Sequence, residues 1–265
     1  MADSWRPGDP LDRAHCDRKL FDRIANTYSR KDLLPAHRQA RKLRLFQTMG
    51  HTGAPDSADL LEIGCGAGFA ADYLQSRYGS YHGIDHSTEL VEIAGTFNVG
   101  PEITFETADA ATFSSDRRFD VIFMIGVLHH LENPAGTLHH LTTFLKPSGS
   151  IVVNEPFDGN PLIRFARRIR KRTDPHYSKD QDFYSRHGLS TIFEKAGCEV
   201  VKLVPQGLFS TPFAEVVMPG QAVLSPLSSL ACTVDRSLER LVPWALNGLA
   251  WNLIAIAVPT DRQRR

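Results

Sequence analysis

From Asp59 onward, short apolar runs alternate with helix-patterned segments, and that alternation constrains the fold more than any other feature of the chain. Residues 60–63, 81–84, 103–105, 119–125 and 151–153 read as strands, with 69–78, 88–94 and 135–145 between them as helices. Apolar runs without polar alternation suit strands buried on both faces, and their interleaving with helices predicts a parallel sheet with right-handed crossovers. Further on, 185–196 reads as a helix closed by Gly197, 199–204 as a strand and 249–258 as the final strand. The stretch 208–241, with five prolines in it or close by, reads as an irregular apolar insertion. Upstream, residues to about Gly50 carry a helical apolar rhythm through Leu20, Phe21, Ile24 and Tyr28, then Leu43, Leu45, Phe46 and Met49. Pro35, whose ring pre-sets helical φ, is expected to start the second helix there.

The chain has 265 residues, 42% of them hydrophobic, enough for one large core with insertions. Lys+Arg and Asp+Glu are 30 each, so no global field draws the chain to nucleic acid, and no nucleic-acid partner is expected. The four cysteines form no CxxC and pair with no His at zinc-like spacing, which points to free thiols in a reducing compartment. The first ten residues hold no apolar run, so no signal peptide and a cytoplasmic location are expected. The longest apolar stretch, 244–258, is broken by Asn247, Gly248 and Asn252 and falls short of the ~20 residues of a membrane-spanning helix. His139 and His140 share a helix with no further ligand at metal spacing, so no metal site is expected.

The sharpest local signal is LLEIGCGAGFA at 60–70, where a strand gives way to alternating Gly64, Gly66 and Gly68 and then to a helix. Glycines there permit positive φ and a close approach of backbone to ligand. Nicotinamide and flavin folds use a related loop, but this one lacks GxGxxG spacing and carries Glu62 two positions before its first glycine. In YHGID, Asp85 falls at the carboxyl end of the next strand, where ligands bind in open α/β sheets and where a carboxylate accepts both ribose hydroxyls; a helix-capping role is the plainer alternative. In ETADA, Asp109 follows a third strand and could accept from an adenine amine while the Ala110 amide donates to a ring nitrogen; an ordinary turn residue is the alternative.

With LLEIGCGAG, GIDHS, Asp109, FDVIFMIGVLHHLENP and LTTFLKPSGSIVVNEP in this order, the chain resembles class I S-adenosylmethionine-dependent methyltransferases, in particular the type-11 small-molecule enzymes. The likeness runs from about Phe21 to Val204 and departs at KPSG, where the family usually has KPGG. It implies an α/β, Rossmann-like three-layer sandwich: a mostly parallel seven-stranded sheet with an antiparallel final strand. A helical N-terminal cap would cover 1–58, and the methyltransferase domain 59–265, with insertions at about 156–184 and 206–246. It also implies that Gly64, Gly66 and Gly68 wrap the methionine and ribose with Glu62 in support, and that Cys65 is an ordinary loop occupant. Asp85 would hold the ribose, His86 would pack on the adenine, Asp109 and Ala110 would read its edge, and Tyr28 would reach down from the cap. Ile125 and Gly126 would line the cofactor near its sulfonium.

Since a sulfonium methyl is already activated, the protein's task is alignment, with a base wherever the acceptor must lose a proton. His129 and His130 are the leading candidate bases, followed by Glu155 and His176; a structural role for the His pair and a capping role for Glu155 are the alternatives. Arg164, Arg167, Arg168, Arg170, Lys171 and Arg172 form a basic stretch within 163–172. That stretch suits an acidic acceptor or peripheral contact with an anionic membrane, or else a solvated helix face. The apolar insertion suits a hydrophobic acceptor pocket, a partner surface, or a helical layer completing the core. Together the two regions favour an amphipathic or acidic small molecule: a lipid, a polyketide or a quinone precursor. An RNA methyltransferase and a non-catalytic cofactor-binding scaffold are the competing readings. Oligomeric state, monomer or homodimer, stays open.

Overall fold

The computed structural model describes residues 18–19, 21–23, 25, 29–161, 184–215 and 220–260. Its seven strands are β1 (Asp59–Ile63), β2 (Ser80–Asp85), β3 (Ile103–Thr107), β4 (Phe119–Ile125), β5 (Leu145–Pro156), β6 (Cys198–Gln206) and β7 (Asn252–Pro259). They form one sheet in the order β3-β2-β1-β4-β5-β7-β6. The first five run parallel, and β7 lies antiparallel between β5 and β6. The expected mostly parallel, seven-stranded α/β sheet is therefore present.

The helices are α1 (Pro35–Gly50), α2 (Phe69–Tyr73), α3 (Thr88–Phe97), α4 (Pro134–Thr142), α5 (Arg186–Lys195), α6 (Thr211–Glu215) and α7 (Gln221–Leu241). Several start where their sequence says they should. Ser87, Asn133 and Ser185 accept backbone N–H bonds at the N-termini of α3, α4 and α5, and Pro134 fills the first turn of α4. Strand alternation sends Leu61, Ile63, Ile122, Met124, Ile151 and Val153 to one face, against Leu138 and Leu141 of α4 and Leu189 and Phe193 of α5. Leu60, Tyr81, Val121, Phe123 and Val152 face the other way, onto Leu45 of α1 and Ala71 and Tyr73 of α2.

Two regions depart from the sequence reading. Strand β5 begins at Leu145 rather than 151, but its pairing with β4 jumps from Phe119↔Leu145 to Val121↔Ser150, so 146–149 still loop out. Lys146 in that bulge donates to Asp59 and Asp120, both at 2.7 Å, and ties together the strand starts opposite the ligand edge. The stretch 208–241 is largely helical rather than irregular. Helix α7 tolerates Pro226 in its second turn, and its inner face lies on α1, with Cys232 against Ala40 and Leu43. Thus α1 is sandwiched between the sheet and α7. No helix among the described residues is long and apolar enough to cross a membrane.

A buried carboxylate fixes the turn that leads from β6 into α6 and α7. Asp235 of α7 is 1% exposed and accepts from the amides of Leu208 (3.0 Å), Phe209 (3.0 Å) and Ser210 (2.8 Å) and from the Ser210 hydroxyl (2.6 Å). One turn later, Glu239 accepts from the amide of Gly207 at 3.0 Å and from Gln47 of α1. Replacing Asp235 leaves the two buried donors of Ser210 and the part-buried amides of Leu208 and Phe209 unpaired, each buried one costing about 1–3 kcal/mol. We therefore expect Asp235→Ala to lower stability by roughly 3–5 kcal/mol in denaturant melts and to speed amide exchange at 208–210. Unchanged exchange there would show that the carboxylate does not anchor the turn.

Candidate functional site

The carboxyl ends of β1, β2 and β4 meet at one edge of the sheet, and the backbone there is unusual. Gly64, Gly66, Gly68 and Gly126 all have positive φ, between 53° and 75°. At Gly64 a Cβ would sit 2.5 Å from the Val127 side chain, so the loop after β1 closes on the loop after β4 only because position 64 is glycine. At Gly126 the outcome is the opposite. The nearest atom to an added Cβ is Nη2 of Arg44, 4.0 Å away, so the backbone there borders open space beside a guanidinium.

Asp85, 7% exposed, ends β2. Its Oδ2 accepts from the amide of Gly66 at 2.8 Å and its Oδ1 from that of Ser87 at 3.0 Å. Each oxygen keeps a second lone pair for a ligand. His86 follows; its Nε2 is buried and has no hydrogen-bond partner among the described residues. Arg18 donates to the His86 carbonyl at 2.7 Å, and Asp22 accepts from the Ser87 hydroxyl at 2.5 Å, which draws the N-terminal segment over this edge. Phe21 in that segment meets the rings of both His86 (5.7 Å) and His130 (5.9 Å) edge-on. Two residues at the end of the adjoining β3 loop complete the edge: Asp109 is exposed, with Oδ1 accepting from the Ala111 amide at 2.8 Å, and Ala110 is buried.

Beneath the glycine loop, Glu62 receives the hydroxyl of Tyr81. The β1–β2 register pairs Leu60 with Tyr81, so Tyr81 and Glu62 share a face. Burial is the dominant influence on Glu62 and outweighs the Tyr81 bond, raising its pKa from 4.5 to about 8. Burial likewise pushes the Cys65 thiol up, which keeps it protonated and fits an inert loop occupant.

The end of β4 is pinned from both faces of β5. Glu155, fully buried, accepts from the amides of Val127 and Leu128 at 2.8 Å each through Oε1, while Oε2 lies 2.7 Å from Nδ1 of His129. Burial would raise the Glu155 pKa, but His129 and the two amides overcome it and hold the group below its ordinary value. Its neighbour Asn154 faces the other way. Its carbonyl accepts from the Gly126 amide at 2.9 Å, and Arg44 of α1 donates to its side chain and carbonyl, both at 3.1 Å. Arg44 also pairs with Glu215 of α6 at 3.0 Å.

The structure thus brings Glu62, Gly64, Cys65, Gly66, Gly68, Asp85, His86, Ile125, Gly126, His129, His130 and Glu155 to the one sheet edge where β1, β2, β4 and β5 end. Tyr28, His176 and the basic stretch 163–172 lie outside the described residues. His139 and His140 are packed on a core helix, bonded to the carbonyls of Ala196 (3.2 Å) and Phe113 (2.7 Å). Tyr81, Arg44 and Asn154 were missed from sequence. A polar residue inside the apolar run of β5 was the available signal for Asn154; nothing singled out Arg44 among the four Arg and Lys of 38–44 other than helical spacing.

Glu62 gives this crevice a pH signature. Below 4.5 the carboxyl is protonated folded or unfolded; between 4.5 and about 8 only the unfolded chain loses its proton, so stability falls as pH rises through that window. Glu62→Gln should flatten the fall, with a difference on the order of 3 kcal/mol between pH 5 and pH 9 in denaturant melts. Parallel curves for the two proteins would mean that Glu62 titrates normally.

Comparison with known proteins agrees with this geometry. Residues 34–203 match a family described as a methyltransferase domain. The malonyl-[acyl-carrier protein] O-methyltransferase 2 of Ilyobacter polytropus is 24% identical over 66% of this chain, and the match spans 66% of its own length. The ubiquinone biosynthesis O-methyltransferase of Azoarcus sp. (strain BH72) is 26% identical over 69% of this chain and 80% of its own. Magnesium protoporphyrin IX methyltransferase of Synechocystis PCC 6803, solved with bound S-adenosylhomocysteine, superposes with a TM-score of 0.61 at 13% identity, covering 92% of this chain and 98% of that one. The sheet order, the edge crevice and the family match lead to one conclusion: the chain belongs to the class I S-adenosylmethionine-dependent methyltransferases.

Proposed function

We propose that the enzyme methylates a small amphipathic or acidic acceptor on oxygen, of the lipid, polyketide or quinone-precursor kind. The observation that carries this reading is the doubly pinned end of β4. Gly126, open to the crevice, sits between the Asp85 and glycine-loop edge on one side and the Arg44 guanidinium on the other. The names of the two O-methyltransferase relatives support the choice of oxygen and of an acidic or quinone-type acceptor.

The residues present fit S-adenosylmethionine. Asp85 keeps lone pairs for the ribose hydroxyls, and Nε2 of His86, buried and without a partner among the described residues, would be the group offered to the adenosine. Asp109 and the Ala110 amide would read the adenine edge. Glu62 would complement the methionine ammonium, which would draw its pKa down toward ionisation. Arg44, beside Gly126, would be the cation that meets the methionine carboxylate. The cofactor supplies, when bound, a methyl group already activated by a sulfonium. Ile125, Gly126 and Val127 hold one wall of the crevice fixed, and Phe21 helps exclude water. Of the two candidate bases, His130 is half-buried and faces Phe21, whereas His129 is buried against Glu155. We assign proton removal from the acceptor to His130. His129 and Glu155 act as positioning residues that hold the turn at 128–130.

The test uses purified enzyme with methyl-labelled cofactor and two probes, a polyprenyl catechol and a malonyl thioester. Label on either supports the acceptor class. No label on either, with S-adenosylhomocysteine binding intact by calorimetry, removes the acceptor class and leaves the cofactor reading standing. With a labelled probe, His130→Gln should lower kcat by about 10²–10⁴-fold without changing cofactor affinity. Asp85→Asn should do the reverse: S-adenosylhomocysteine binding about 10–100-fold weaker, with an unchanged circular dichroism spectrum. Equal affinity would reject the ribose assignment.

A further inference from the structure

Side chains from α1, β5, β6 and α7 are joined end to end beneath the close of β4. Arg44 of α1 donates through Nε to Oδ1 of Asn154 on β5 at 3.1 Å. Asn154 Nδ2 donates to Oε1 of Gln206, the last residue of β6, at 3.4 Å. Gln206 Nε2 donates to Oε1 of Gln47 on α1 at 2.8 Å, and Gln47 Nε2 donates to Oε2 of Glu239 on α7. Asn154 and Gln206 are buried, at 0% and 1% exposure. Every bond in this chain points the same way, from the guanidinium toward the carboxylate.

That direction is forced from its ends. Arg44 can only donate, and an ionised carboxylate can only accept. Burial raises the Glu239 pKa to about 7, with Asp235 adding to the rise and the Gly207 amide opposing it, so the carboxylate is ionised above neutrality. Side bonds lock the same sense. The Thr48 hydroxyl gives its proton to the Arg44 carbonyl at 2.7 Å, which leaves its oxygen to accept from Asn154 Nδ2 at 2.8 Å. Oε1 of Gln206 also accepts from Asn252 at 3.3 Å. No amide in the chain can turn over alone without setting two donors or two acceptors face to face.

We infer that Glu239, Gln47 and Gln206 are positioning residues for Arg44, holding its guanidinium beside Gly126 through the sense they impose on Asn154. The inference rests on the reading of Arg44 as the cation for the methionine carboxylate. The two oxygens of Asn154 grip Arg44 together, Oδ1 on Nε and the carbonyl on Nη2, both at 3.1 Å, and so set the plane of the guanidinium. Turning the Asn154 amide over would put Nδ2 against Nε and open that grip. Glu215, which also pairs with Arg44, is exposed on α6, so water screens its hold. The buried arm thus sets the aim of Nη2, the atom nearest to a Cβ built on Gly126.

Calorimetry of the full chain at about pH 8 tests the inference, with S-adenosylhomocysteine and its decarboxylated analogue as ligands. Arg44→Gln sets the scale: it should weaken S-adenosylhomocysteine about 10–100-fold and leave the analogue unchanged. Glu239→Gln still accepts from the Gly207 amide but turns an NH2 toward Gln47, and each flip that relieves this contact passes it on toward Asn154. It should weaken S-adenosylhomocysteine on the order of 10-fold and spare the analogue. Adding Gln47→Glu to Glu239→Gln moves the anion one link inward, where it accepts from both neighbours; the double variant should recover the preference for the carboxylate. If Glu239→Gln does not fold, Gln206→Met, which cuts the chain but leaves Asn154 its bond to Thr48, should show the same selective loss. Three results would overturn the positioning role while leaving Arg44 as the carboxylate's partner: a preference kept in the chain variant, a loss shared equally by both ligands, or a double variant no better than Glu239→Gln. An unchanged preference in Arg44→Gln would overturn both readings.

Discussion

A carboxylate with no access to water holds the reactive edge of this enzyme together. Glu155 has no exposed surface, yet it stays ionised more readily than a free glutamate because two amides and an imidazole converge on it. Taking a carboxylate out of water costs several kcal/mol unless such donors replace the lost hydration. In return, the chain after β4 has one allowed path. The amides of Val127 and Leu128 must point at Glu155, which leaves Gly126 at the crevice and sets the turn that carries His129 and His130. Asn154, one residue earlier and on the opposite face, repeats the restraint through Gly126 and Arg44.

The same device recurs at two other turns. Asp85 gathers the amides of Gly66 and Ser87, and Asp235 gathers those of 208–210. In each case, loop backbone that no strand or helix can satisfy is satisfied by a side-chain anion instead. The three carboxylates organise different parts of the molecule: Asp85 the glycine-loop edge, Glu155 the end of β4, and Asp235 the turn that leads into α6 and α7. Geometry where the parallel strands end is therefore set largely by electrostatics, whereas the sheet interior is set by apolar packing.

Much of the first half of the fold was legible because its signals are local. A strand, three glycines and a helix lie within eleven residues, and Asp85 follows about twenty later, so spacing alone brings them to one edge. Helix starts at Ser87, Asn133 and Ser185 likewise follow from neighbouring residues. The contacts of α1 with β5 and α6 were harder to read because they are distant in sequence. Arg44 meets Asn154 across 110 positions and Glu215 across 171, and no pattern within either segment announces the partner. Prolines misled the reading of 208–241. A proline early in a helix gives up one backbone bond, and the amphipathic face of α7 outweighs that loss.

The position of β7 has a consequence for how the sheet is completed during synthesis. It follows every other strand in the chain, yet it occupies a place between β5 and β6. Until it arrives, β6 has no neighbour and β5 has an open side; the buried amide cluster of Asn154, Gln206 and Asn252 cannot close either. The parallel half, by contrast, is complete in its strands once β4 and β5 have emerged. A ribosome would thus carry a molecule whose glycine-loop edge has all its strands while the antiparallel part of the sheet is still unformed, a sequence of events that leaves the long-range pairing of β7 until last.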